Sequence, residues 1–284
     1  MKKILALALA LLMMATCVIS FASCGKVKDW KKIEKEGKFV VGMTIYAPMN
    51  YYDANGDLVQ DDDGEFVGFD TELAKMVAEK LGVQVEFKEI NWDNKYLELN
   101  SGAIDCIWNG FTSNSKDSDG IERSDKVDFT YAYLDNAQCV IVRSDKLASI
   151  TSVDSLRGLK AAVETGSAGE TYAKSVTDAG KVSGKNSQME TLTELASGAV
   201  DFIVVDVLLA DKIVGQGDYA NLAKVTSISI DTEVYSIGCR KGSDLDEKFN
   251  DAIVELLNEG KLEALAEKYG VHITASLMAK KTAG

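Results

Sequence analysis

The sequence has very few residues of the kinds that build catalytic or metal-binding sites. Its single histidine, His272, lies near the C-terminus, so a Ser-His-Asp or Cys-His catalytic unit has no natural place in the chain. Its five cysteines include no Cys-x-x-Cys pair, which argues against a zinc site. Cys106, Cys139 and Cys239 each lie in an apolar, strand-like run, and their odd number indicates no disulfide framework. We expect them to be buried, although a bridge between two of them stays possible.

The chain also lacks an excess of positive charge. Its formal net charge is -13 at pH 7, whereas a surface that binds nucleic acid needs clustered lysine and arginine. The acidic runs "DDDGE" at 61–65 and "DSDGIE" at 117–122 do not space their carboxylates as an EF-hand does, so we expect solvated turns. "TGSAG" at 165–169 lacks the Gly-Lys-Ser/Thr ending of a phosphate loop. A turn into a helix whose N–H groups hold a carboxylate is the simpler interpretation, and no metal or cofactor is expected.

The N-terminus has the pattern of a secretory signal. Two lysines precede an apolar run at 4–21, and two small residues then precede Cys24. We interpret 1–23 as a signal peptide and Cys24 as a lipidation site, because the ending resembles a bacterial lipobox. A similar ending at Cys17 is a weaker candidate, and an uncleaved membrane anchor is the alternative. The segment 24–37 is expected to be a charged, partly helical tether outside the cytoplasmic membrane.

Strands alternate with helices through the remaining chain. "KFVVGMTIY" at 38–46 is predicted to be a strand, and the Asn-Gly and Asp-Gly pairs within 51–70 predict a hairpin. Asp70 is predicted to cap a helix that Gly82 ends. Such alternation is typical of parallel strand-helix units, so we expect an α/β fold in two lobes of related layout.

One junction occurs twice. "NSGAIDCIWNG" at 100–110 and "ASGAVDFIVVD" at 196–206 share Ser, Gly, Ala and Asp at corresponding places, and they end in Gly110 and Asp206. We interpret them as one helix-to-strand unit used once in each lobe. A carboxylate at the C-terminal end of a buried strand lies where α/β proteins place their clefts.

Several segments, in the same order, resemble the amino-acid-binding solute-binding proteins of ABC importers (the polar amino acid, family 3 group). They are "GEFVGFDTELAKMVAEKLG", "NSGAIDCIWNGFT", "VDFTYAY" and "LASGAVDFIVVD", within a likeness that covers about 38–272. The resemblance implies a type II periplasmic-binding-protein fold, in which two crossover strands form the hinge between two lobes. It places lobe 1 at 38–132 and 235–277, lobe 2 at 133–234, and a tail at 278–284.

The resemblance also implies ligand contacts from lobe 1. Tyr46 and Trp92 match two aromatic residues that form walls against the ligand. Gly110 and Thr112 match positions where a backbone group and a hydroxyl hold the backbone atoms of the ligand.

In lobe 2, the family's contacts fall on three further residues. Ser167 and Ala168 lie at a helix start where backbone N–H groups receive the ligand carboxylate. Asp206 matches the acceptor for the ligand's α-ammonium group.

Two departures from the family pattern affect the predicted site. The arginine that grips the carboxylate is replaced by Asp117, and Arg123 is assigned that role instead, with Lys116 as the rival. Met43 stands where the family often has an acidic residue, so the side-chain specificity is open. Glu164 occupies a position that often contacts the ligand side chain, where it could read an amide or a basic group or simply face solvent.

Together these features predict a lipid-anchored, extracytoplasmic receptor for a free, polar amino acid. It would act as a monomer without catalysis and would deliver its ligand to the membrane subunits of an ABC permease. A small dehydratase-type enzyme and a ligand-sensing module on the same fold are the alternatives.

Overall fold

The computed structural model describes residues 28–54, 57–59 and 64–282. The predicted signal peptide at 1–23 and the predicted lipidation site at Cys24 lie outside these residues. None of the described helices is long and apolar enough to cross a membrane.

The first part of the described chain belongs to one lobe and includes a separate small sheet. Its elements are α1 (Asp29–Glu36), β1 (Lys38–Met43), β2 (Tyr51–Ala54), β3 (Asp57–Val59), β4 (Glu65–Val67), α2 (Phe69–Leu81), β5 (Gln84–Glu89), α3 (Lys95–Ser101), β6 (Cys106–Ile107), α4 (Arg123–Lys126) and β7 (Val127–Phe129). The segment predicted to be a hairpin forms the three-stranded antiparallel sheet β3-β2-β4.

The middle part forms the second lobe. Its elements are β8 (Leu134–Arg143), β9 (Ala161–Glu164), α5 (Ala168–Val176), β10 (Val182–Lys185), α6 (Gln188–Ser197), β11 (Phe202–Asp206), α7 (Val207–Ile213), β12 (Leu222–Lys224) and β13 (Thr232–Tyr235). The sheet order is β10-β9-β11-β8-β12, and β13 also pairs with β8. The strands β10, β9 and β11 are parallel, whereas β8 is antiparallel to β11.

The chain then returns to the first lobe. The last elements are β14 (Gly238–Arg240), α8 (Leu245–Asn258), α9 (Lys261–Tyr269) and α10 (Ala275–Met278). The sheet of this lobe has the order β5-β1-β6-β14-β7, with β14 antiparallel to both of its neighbours. The first lobe is therefore made of two stretches of chain, one before and one after the second lobe.

Two segments cross between the lobes and lie side by side. One joins β7 to β8 and the other joins β13 to β14. The Tyr133 N–H donates to the Tyr235 carbonyl at 2.8 Å, and β13 continues this contact as an antiparallel pair with β8. The predicted two-lobed α/β architecture with two crossing strands is confirmed.

Asp70 does not cap a helix, and this prediction was wrong. Helix α2 begins at Phe69, so Asp70 already lies inside the helix. The residue before the helix is Gly68, which has a φ of 132°. A Cβ at Gly68 would lie 2.0 Å from the Met49 carbonyl oxygen, so only glycine allows this close entry. The Asp70 carboxylate is buried and accepts hydrogen bonds from the Gly110 N–H at 2.7 Å and the Tyr133 hydroxyl at 2.8 Å.

Apolar side chains cover both faces of the first sheet. Cys106 lies in a cluster with Phe249 of α8, whereas its neighbour Ile107 lies in a second cluster with Trp92. Cys106, Cys139 and Cys239 are all buried thiols, as their apolar surroundings predicted.

Arg240 joins the beginning, middle and end of the first lobe. Its Nε donates to Asp29 of α1 at 3.0 Å, and its Nη1 donates to the carbonyls of Leu99 and Ile104 at 2.8 and 3.0 Å. Its Nη2 donates to Asp105 at 3.4 Å. Both carboxylates are largely buried, and Arg240 compensates them together with Ser243, which donates to Asp29, and Lys32, which pairs with Asp105.

We expect Arg240→Met to lower the free energy of unfolding by about 2–3 kcal/mol, because it leaves two carboxylates and two carbonyls without this donor. Chemical denaturation measures the change. Arg157→Met is the matched control, since Arg157 and its partner Asp154 are exposed and their ion pair contributes little. Equal stability of the two variants would contradict this role of Arg240.

Candidate ligand-binding cleft

The cleft lies where the strand ends of the two lobes face each other. Tyr46 follows β1 and Thr112 follows β6 in the first lobe, whereas Glu164 ends β9 and Asp206 ends β11 in the second. All four side chains are buried. The ends of parallel strands are the usual place for ligands in α/β folds, and here two such edges meet.

Two tyrosines and Gly110 form the centre of the cleft beside the crossing segments. The hydroxyl groups of Tyr46 and Tyr235 are hydrogen-bonded at 2.7 Å. A Cβ at Gly110 would lie 2.9 Å from both rings, so the absence of a side chain there lets the rings approach. The Gly110 N–H is already used by Asp70.

Trp92 and Lys95 form the rim of the first lobe. The Trp92 ring packs edge-on against Phe111, with their centroids 5.4 Å apart. Lys95 is 1% exposed, and its Nζ lies 5.1 Å from the centroid of the Trp92 ring. Its ammonium donates to the Trp92 carbonyl at 3.3 Å and, across the cleft, to the Gly166 carbonyl at 3.0 Å. Lys95 was not predicted as a site residue.

Arg123 is buried and held in a fixed orientation. Its Nε donates to Asp117 at 2.9 Å, its Nη1 to the Thr112 carbonyl at 3.0 Å and its Nη2 to the Gly166 carbonyl at 3.3 Å. Burial alone would raise the pKa of Asp117, but the charge of Arg123, together with the Tyr96 hydrogen bond and the nearby Lys95 and Lys126, outweighs burial and lowers that pKa. A guanidinium has five N–H donors, so one on each terminal nitrogen remains after these bonds. Two parallel N–H groups fit a carboxylate.

Lys116, the alternative to Arg123 as carboxylate ligand, does not contact Arg123 or the second lobe in the hydrogen bonds and ion pairs described. Lys116 is largely exposed and pairs with Glu122 at 3.2 Å. Asp117, which replaces the arginine of the family pattern, supports Arg123 instead of contacting the lobe opposite.

The turn between β9 and α5 faces Arg123 from the second lobe. Ser167 is the N-cap of α5, and its hydroxyl accepts from the Glu170 N–H at 3.1 Å. Its own N–H donates to the Glu164 carbonyl at 3.2 Å, whereas Ala168 has one of the N–H groups that a helix start leaves without an intrahelical acceptor. Gly166 has a φ of 77°, and its carbonyl receives both Lys95 and Arg123.

Amide side chains hold Asp206 in place. Asn136 and Gln138 of β8 each donate to its Oδ1 at 2.7 Å. Gln188 of α6 donates to Oδ2 and accepts from the Asp206 N–H at 2.9 Å. Gln138 also donates to Glu233 at 2.9 Å, which brings a second carboxylate beside Asp206. The amide side chains that hold Asp206 are neutral, so they orient its carboxylate without neutralising its charge.

The cleft raises the pKa values of its acids. Burial, and then the charge of Asp206, raises the pKa of Glu164 to about 8 and that of Glu233 to about 7. Burial also raises the pKa of Asp206 itself. Burial, and then the charge of Arg123, lowers the pKa of Lys95 to about 8. Groups with shifts in these directions, gathered at one cleft, are typical of a functional site.

Among the predicted site residues, Tyr46 lies against Gly110, Arg123 donates to Thr112, and Ser167 donates to Glu164. Cys24 lies outside the described residues. Within the described part of the chain, no group of three or more His, Cys, Asp or Glu residues could hold a metal ion. The ligand contacts themselves remain predictions. The residues that the sequence reasoning missed are Lys95, Asn136, Gln138, Gln188, Glu233 and Tyr235.

A bacterial binding protein is similar to this chain over nearly its whole length. The L-cystine-binding protein TcyJ of Escherichia coli (strain K12) is 30% identical over 260 residues, which are 90% of this chain and 91% of that protein.

Two solved structures have the same fold. An ancestral arginine-binding protein bound to arginine has a TM-score of 0.71 and 35% identity, covering 82% of this chain and 98% of the other. The ancestral amino acid-binding protein AncCDT-1, a precursor of cyclohexadienyl dehydratase, has a TM-score of 0.71 and 29% identity, covering 84% and 98%. The family of bacterial extracellular solute-binding proteins, family 3, matches residues 39–272. This chain therefore belongs to the bacterial extracellular solute-binding proteins of family 3.

Proposed function

We propose that the chain is the substrate-binding subunit of an amino acid ABC importer and that a free amino acid binds between its lobes. The observation that carries this proposal is the placement of opposite charges on opposite lobes. Arg123 keeps two N–H groups for a carboxylate, and Asp206 presents a fixed carboxylate to an ammonium group. A ligand with both groups contacts both lobes only when they meet, so it favours the closed state.

The side chain of this ligand is proposed to be a hydrogen-bond donor and preferentially a cation. Oε1 of Glu164 is buried without a hydrogen-bond partner, and such an acceptor is costly unless a ligand donates to it. Three clustered acids, Glu164, Asp206 and Glu233, also favour a positive ligand because each raises the cost of ionising its neighbours. Arginine, lysine and ornithine satisfy both conditions, and the ancestral relative bound to arginine supports this class.

We propose binding without turnover. The named relatives above are described as binding proteins, and AncCDT-1 is itself described as amino acid-binding although it precedes a dehydratase. A turnover assay with prephenate-like acids separates the two activities on this fold.

Anchoring through a lipid on Cys24 is also proposed, on the strength of the N-terminal pattern. The anchored protein would deliver its ligand as a monomer to the permease subunits.

Asp206→Asn is expected to weaken amino acid binding by about 100-fold or more, because it removes a buried charge at nearly constant shape. Isothermal titration calorimetry measures the loss, and circular dichroism checks the fold. Asp211→Asn, on the exposed side of α7, is the matched control and should bind normally. Unchanged affinity of Asp206→Asn would overturn the assigned ammonium site.

Affinity for a cationic amino acid should rise by at least about tenfold between pH 6 and pH 8. The free protein holds protons on Glu164 and Glu233, whose pKa values are raised to about 8 and about 7. A bound cation lowers those pKa values and releases the protons, so binding tightens as pH rises towards the free-protein values and then levels off. Glu164→Gln should flatten the profile, whereas the exposed control Glu86→Gln should not. A profile of the opposite slope is incompatible with a cationic ligand at this site.

Cys24→Ser should abolish incorporation of labelled fatty acid into the protein in a bacterial host that processes lipoproteins, because it removes the acylated thiol. Autoradiography after labelling with palmitate measures this loss. Cys17→Ser is the control and should keep the label. Label retained by Cys24→Ser would contradict lipidation at Cys24.

A further inference from the structure

Two of the cysteines stand opposite each other on neighbouring strands of the first lobe. Strands β6 and β14 are antiparallel, and Cys106 is the register partner of Cys239. Directly opposite residues in such a pair have Cα atoms about 4.5–5.5 Å apart. A disulfide needs Cα atoms about 4.4–6.8 Å apart, so the backbone already meets this requirement.

The two side chains also share one face of the sheet. Both are 0% exposed and belong to the same apolar cluster, whereas Ile107 beside Cys106 belongs to the cluster with Trp92. Side chains that lie opposite each other on one face have Cβ atoms about 4.5–5.5 Å apart. A disulfide brings them to about 3.5–4.5 Å, which requires only a small approach.

Cys139 has no comparable partner among the described residues. It lies in β8 of the second lobe, opposite Val205, and its thiol donates to the Val205 carbonyl at 3.5 Å. The three cysteines after the N-terminal segment are therefore one facing pair, Cys106 and Cys239, and one separate thiol, Cys139.

We propose that Cys106 and Cys239 are the site of a cross-strand disulfide, which forms during folding outside the cytoplasmic membrane. The two thiols lose two protons and two electrons as the S–S bond forms. A small-molecule or protein disulfide accepts the electrons by thiol–disulfide exchange and is reduced to two thiols. Extracytoplasmic compartments are oxidising enough for such bonds to persist.

Burial sets the time at which the bond forms. It raises the pKa of both thiols well above the ordinary value, and only a thiolate attacks a disulfide. The folded dithiol is therefore inert, and exchange takes place before helix α8 covers this face of the sheet. The same cover then shields the finished bond from reductants.

The bond would have a specific structural consequence. Strand β6 comes from the chain before the second lobe and β14 from the chain after it. The covalent ring would enclose the whole second lobe, so the first lobe would stay joined even when the crossing segments move. Long rings of this kind remove the most freedom from the unfolded chain.

Peptide mapping tests the proposal directly because trypsin separates the three cysteines. Cys106 falls in the peptide 96–116, Cys139 in 127–143 and Cys239 in 225–240. The full chain is denatured, reduced and refolded in a glutathione buffer poised to oxidise thiols, then alkylated in denaturant without reductant. We expect most of the protein to give 96–116 joined to 225–240, two hydrogens lighter than the separate peptides, with 127–143 alkylated.

Variants make the assignment specific. Cys139→Ser should keep the cross-link, whereas Cys106→Ser should leave Cys239 alkylated, and Cys239→Ser should leave Cys106 alkylated. The oxidised wild-type chain should melt several degrees above the reduced chain, and Cys106→Ser should lose this difference. Alkylation of all three peptides in most of the oxidatively refolded wild-type chain, or a cross-link that includes 127–143, would overturn the proposal. The wild-type result decides the question even where a variant fails to fold.

Discussion

The two crossing segments are the constraint on which the cleft depends. The Tyr133 N–H bonded to the Tyr235 carbonyl and the pairing of β13 with β8 hold the segments together. Because both segments join the strand ends of the first lobe to those of the second, they bring two strand edges face to face. Polar groups that follow parallel strands therefore meet across one gap. Each lobe contributes its own charge, positive from Arg123 and negative from Asp206.

Burying these charges is unfavourable, and hydrogen bonds within the protein stabilise them before any ligand binds. Arg123 is oriented by Asp117 and by two carbonyls, while Asp206 is oriented by three amide side chains. Neutral amides fix the Asp206 carboxylate without cancelling its charge, so its attraction for an ammonium group is retained. A site prepared in this way loses little conformational entropy on binding.

The sequence predicted most of the architecture, and its errors have local physical causes. The repeated junction led correctly to the ends of β6 and β11 because both are strand endings read from a strong apolar pattern. Asp70 was misjudged because α2 is capped by Gly68, two residues earlier, where the backbone lies close to Met49 in a way that no local pattern reveals. Lys95 and Glu233 were missed because a single charged residue gives no periodic signal. Their burial depends on contacts with residues far along the chain.

Closure does not rest on the ligand alone. Lys95 and Arg123, both from the first lobe, donate to one carbonyl of the second lobe at Gly166, so its two lone pairs are both used. Thr112 adds a further bond across the cleft to Glu233 at 3.0 Å. These contacts supply part of the free energy of closing from the protein itself. A ligand then has to supply only the remainder, and its differential contacts with the two lobes, rather than the total number of its contacts, determine how far it shifts the population.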